Sequence, residues 1–123
     1  MAKTSEEVKR FLDFMKECGI RYNLAHDAMR TEEKREQDFI HAIEFENHVE
    51  NRSKTCTRLR ACLIERRRNK DIVEELEPIV EFMNNPQNKR CIDQLTQLLG
   101  KIRKVERYHE NRSYHPRVEK MEK

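Results

Sequence analysis

Residues 64–70, "IERRRNK", place three arginines and a lysine within five positions. Arginine's planar fork bonds carboxylates or phosphates in pairs, so such a run can hold an anion. With Arg58 and Arg60 the cations Arg66, Arg67, Arg68 and Lys70 extend over about three and a half helical turns. At 100° per residue Arg60 and Arg67 nearly overlap, with Arg68 close beside them. A second basic group, Lys101, Arg103, Lys104 and Arg107, lies nearer the C-terminus, where Tyr108 and Tyr114 could stack on exposed bases. Two partners fit these cations: an acidic protein surface, or DNA or RNA. The plainer alternative is a solvated or internally paired helix surface. Glu65 sits among the arginines, and the acidic stretch Asp71–Glu81 follows at once. Charge on helices is most often plain surface, and exposed ion pairs contribute little. Zinc-finger spacing, a glycine-rich loop and RNA-binding aromatic motifs are missing from the sequence.

Other chemistries have weaker signatures. His41, Glu44 and His48 step by three and four and could face one way on a helix, as ligands do in di-metal bundles. Those sites use a Glu-x-x-His step, which the chain lacks, and no metal or other cofactor is expected. Cys62 has Arg58 and Arg66 four residues to either side, an arrangement that can lower a thiol's pKa. No base or oxyanion site accompanies it, and packing as a small hydrophobe is the stronger reading. The carboxylate pairs Glu32/Glu33, Glu44/Glu46 and Glu74/Glu75 lie among other charges, with no apolar enclosure to raise a pKa.

The elements that must position these residues are helices. Of 123 residues 40% are charged and 36% apolar, but the apolar ones recur at helical spacing. Two glycines and three prolines are too few for a protein of turns and short strands. The net charge of +3 hides an alternation: −4 over 1–50, +7 over 51–70, −5 over 71–84 and +5 over 85–123. The four cysteines form no C-x-x-C pair, and neither a signal peptide nor a membrane span is apparent. The chain therefore reads as cytoplasmic with reduced thiols. The two "NRS" sequons carry no meaning without secretion.

Thr4 and Glu7 fit a capping box, and Gly19 fits a left-handed helix stop, which predicts a short first helix over about 5–18. Thr31 fits a second N-cap. From there Ala42, Phe45, Val49, Arg52, Cys56, Leu59 and Leu63 form an unbroken seam, with Arg52 as a lone cation that could fix register or simply reach solvent. Pro78 should kink the chain or open a new segment. "NNPQN" at 84–88 is a turn, and a last helix runs over about 87–109 with Cys91, Leu95, Leu98, Ile102 and Val105 as its seam, widened by Ile92, Leu99 and Tyr108. The fold predicted is an all-α, antiparallel, coiled-coil-like helical hairpin or bundle with a short N-terminal helix. It is one domain over 1–110, with a tail over 111–123 that is flexible unless Tyr114 and Val118 dock. Narrow seams point to a homo-oligomer.

The stretch 57–83, "TRLRACLIERRRNKDIVEELEPIVEFM", resembles small helical accessory proteins of phages and prophages in Gram-positive bacteria. Leu59, Arg60, Arg66, Arg67, Lys70, Asp71, Leu76, Glu77 and Pro78 carry the likeness. It implies a phage accessory protein and no mechanism. The function expected is a non-enzymatic regulatory factor or inhibitor that docks on an acidic protein surface through Arg58–Lys70, without a membrane. The alternative is a nucleic-acid-binding protein using the same helix and Lys101–Arg107. A metal-dependent bundle enzyme is the weaker third.

Overall fold

The computed structural model describes residues 1–120 and contains three helices: α1 (Thr4–Phe45), α2 (Val49–Asn84) and α3 (Pro86–Glu110). Among the described residues there is no strand, and the expected all-α helical hairpin is the fold observed. α1 spans about 63 Å at 1.5 Å per residue. α2 returns along it and α3 continues in the same direction. Met83 meets Gly19, while Glu106 and Glu110 reach Ser5 and Lys3.

The element boundaries differ from those predicted. The first helix is not short. It continues through Gly19, whose φ is not positive. Thr31 does not cap a new helix, since its hydroxyl donates to the Asp27 carbonyl one turn back (3.1 Å). Nor does the Thr4–Glu7 box form. Lys3 is the N-cap of α1, its N–H is accepted by Glu6, and the Ser5 N–H donates to Glu106 of α3 (3.2 Å). This contact holds the Glu106 carboxyl below its ordinary range.

The predicted unbroken seam is interrupted at residues 46–48. No glycine or proline marks the place. The Glu46 side chain accepts the His48 N–H (3.0 Å), a local bond that competes with helix continuation, and both residues are extended. The second break is the predicted one. Asn85 caps α3 by accepting from the Gln87 N–H, Pro86 follows at the first helical position, and Asn88 donates to the Phe82 carbonyl. Pro78 neither ends α2 nor opens a new segment, for α2 passes through it.

The contact between α1 and α2 uses a different phase from the one predicted. On α1 the inward positions are Cys18, Tyr22, Ala25, Met29, Glu32, Glu36, Phe39 and Ile43, stepping by four and three. On α2 the facing row begins at Thr55, Leu59, Cys62 and Arg66 and continues to Leu76. Phe45, Val49, Arg52, Cys56 and Leu63 are exposed. The lone cation in the seam is therefore Arg66, and Arg52 lies outside it. α3 turns Leu95 and Ile102 of its predicted seam inward together with Ile92 and Leu99 of the widened one, and leaves Cys91, Leu98, Val105 and Tyr108 outside.

Beyond α3, residues 111–120 carry no helix, and Tyr114 and Val118 are exposed, so neither docks. The rest of the predicted tail, residues 121–123, lies outside the described residues.

Candidate docking surface on α2

The predicted cations fall into three groups. The first is structural. Arg66 crosses the hairpin to Glu36 (3.5 Å) and Glu33 (3.7 Å) of α1. Its Nε is buried without a hydrogen-bond partner among the described residues, a desolvation cost set against the two carboxylate contacts. Arg58 stacks over the Phe39 ring of α1 at 5.0 Å, a cation–π contact on the opposite flank. The second group is paired within α2: Arg68 with Glu65 (2.9 Å) and Lys70 with Glu74 (4.0 Å). The third group is free. Arg60 and Arg67 are exposed and form no ion pair among the described residues.

The internal pairing foreseen with Asp71–Glu81 accounts for Lys70 alone. α1 supplies the carboxylates that meet Arg66, which sequence order does not suggest. Residues 24–50 hold eight acidic and three basic side chains, and they lie alongside the basic block 51–70. The alternating charge blocks thus bring opposite signs together when the chain folds back.

Arg60 and Arg67 are seven residues apart and share one line along α2. Leu63 (40% exposed) and Ile64 (51% exposed) lie between them. With Arg68 and Asp71 they line a shallow depression facing away from α1. An apolar pair rimmed by arginines is the composition of a protein-interface centre. The α3 cations do not gather in this way. Arg103 and Arg107 share a side, but Lys104 and Lys101 lie progressively further round, across roughly 160° of circumference at 100° per residue.

The other candidate chemistries are not assembled. His41 pairs with Glu44 (3.4 Å), while His48 sits beyond the helix break at the start of α2. Among the described residues no three metal-ligating side chains cluster. Cys62 is buried, and its thiol donates to the Glu32 carbonyl (3.2 Å). Desolvation raises its pKa from 9.0 to about 11, with the Glu32 bond adding to the shift, so the thiol packs as the small hydrophobe the sequence favours and the flanking Arg58 and Arg66 do not lower it. Those arginines point to Phe39 and to the α1 carboxylates instead.

Two pH units leave roughly a hundredfold less thiolate, so near pH 8 Cys62 should alkylate far more slowly than exposed Cys56. Peptide mapping after a timed iodoacetamide pulse reads this directly, and equal labelling would contradict the burial. The raised pKa also sets a sign. The protonated thiol favours the folded state fully below pH 9.0, and that contribution is lost as pH climbs toward 11.

No protein family, curated protein or solved structure matches the chain. The phage likeness of residues 57–83 therefore rests on those residues alone. Among the described residues no helix is long and apolar enough to cross a membrane.

Proposed function

We propose that this chain is a non-enzymatic, cytoplasmic binding protein, an accessory or regulatory factor of phage type. It docks on the acidic surface of a partner protein through the outer face of α2. The observation that carries this reading is the exposed Leu63–Ile64 pair between Arg60 and Arg67. Arginine alone would suit phosphates as well as carboxylates. A leucine and an isoleucine at the centre of the basic patch gain most from a partner that offers apolar side chains, since a phosphate backbone gives them nothing to bury against. The arginines would speed encounter and set orientation, and the apolar pair would slow dissociation.

The test compares the wild type with Arg60→Glu/Arg67→Glu as baits in nuclease-treated host lysate. In parallel, DNA and RNA are titrated at low and moderate salt. Capture of one partner that survives nuclease and disappears with the double variant supports the reading. Micromolar nucleic-acid binding that falls steeply with salt and is lost in the same variant replaces it with the nucleic-acid alternative.

A further inference from the structure

We propose that the return arm, the second half of α2 together with α3, pairs with the same arm of a second copy of this chain. Two stripes on that arm carry the inference. On α2, Ile72, Glu75, Ile79 and Phe82 follow one another at steps of three, four and three. On α3, Leu98, Lys101, Val105 and Tyr108 repeat those steps. At 100° per residue each set lies within roughly 80° of its helix. Ile72 and Ile79 are half-buried, and the other six residues are exposed. α1 covers the inner side of both helices and leaves these stripes uncovered.

The stripes match in shape and oppose in charge. Each has one ionic residue at its second position, Glu75 on α2 and Lys101 on α3. When the second copy runs antiparallel, Ile72 falls opposite Val105 and Ile79 opposite Leu98. In that register Glu75 is level with Lys101 to within about 1.5 Å, the rise of one residue. A two-fold axis across the arm then forms the contact twice, since each copy offers both stripes. The segments around the stripes also complement each other: residues 71–84 are net −5, while α3 is net +3.

Area points the same way. The chain exposes 10716 Å² for 15.0 kDa. A compact monomer of this mass exposes about 7,000 Å². The excess, which reflects a body only two helices thick and an extended tail, is well above the roughly 800 Å² per partner that a stable interface covers. The stripe begins one residue beyond Asp71, which lines the Arg60–Arg67 depression, so the dimer contact adjoins that face at its Arg68–Asp71 end.

Sedimentation analysis of the full chain across the micromolar range tests the pairing. The wild type should be a dimer. Glu75→Lys and Lys101→Glu should each raise the dissociation constant by roughly tenfold or more, because each sets like charges together. The combined variant should return to within roughly threefold of the wild type, since the pair is restored with its signs exchanged. Leu98→Gln gives a second handle by weakening the dimer at an exposed site, with helicity by circular dichroism reporting the fold independently. A wild type that stays monomeric, single variants that dimerise normally, or a combined variant that fails to recover would overturn the proposal.

Discussion

Replacing Pro78 with alanine should stabilise the protein by about 2 kcal/mol. Pro78 lies inside α2 with its ring exposed. It supplies no N–H to the carbonyl of Glu74, four residues back, and its ring crowds the preceding turn. Alanine removes an interior penalty of about 3 kcal/mol. Some of that gain is offset, by up to about 1 kcal/mol, because proline also restricts the unfolded chain. No packing is lost, since the ring faces solvent. Urea denaturation followed by circular dichroism measures the difference. A variant less stable than the wild type would show that the proline's constraint on this turn of α2 is required for α3 to reach α1.

Reversing the charge of Arg66 should destabilise the hairpin by about 3 kcal/mol, whereas reversing its neighbour Arg67 should change stability by less than about 0.5 kcal/mol. Arg66→Glu would set a third carboxylate beside Glu33 and Glu36, at a site that is partly screened by water. Among the described residues Arg67 forms no ion pair that the change would remove. Two adjacent arginines would then give opposite kinds of phenotype, one in folding and one in binding. Thermal melts of the two single variants separate them. Equal losses would mean that the α1 carboxylates hold the whole basic block together, and the division into structural and free cations would fail. Loss of partner binding on changing Arg66 therefore reports the hairpin, and Arg60 and Arg67 are the positions that probe recognition.

Helical class was legible because steps of three and four dominate the apolar positions. The phase of those steps was not. Leu63 and Cys62, or Leu98 and Leu99, are equally good seam residues by spacing, and only the geometry of the return settles which faces α1. The turn at Asn85–Pro86 was legible through its side-chain chemistry. The break at Glu46–His48 was not, because it depends on a glutamate accepting a nearby amide, which no residue type announces. Gly19 and Thr31 misled because both are tolerated inside a helix that packing sustains. The basic block was visible as composition. Its division into Arg66, which crosses the hairpin, and Arg60 and Arg67, which face solvent, became visible only once α1's carboxylates were in place.

The bond from Lys3 to Glu110 (2.7 Å) ties together residues 107 apart in sequence. Closing so long a loop in an unstructured chain carries the largest entropic penalty of any contact described, since that penalty grows with the logarithm of loop length. The three-residue connection at 46–48 makes the α1–α2 contact the most local one instead. Once that hairpin exists, Met83 is already beside Gly19, and α3 has only its own length to search before it meets Ser5. Loop closure therefore costs least beside the tight connection and most where the two ends of the helical body meet.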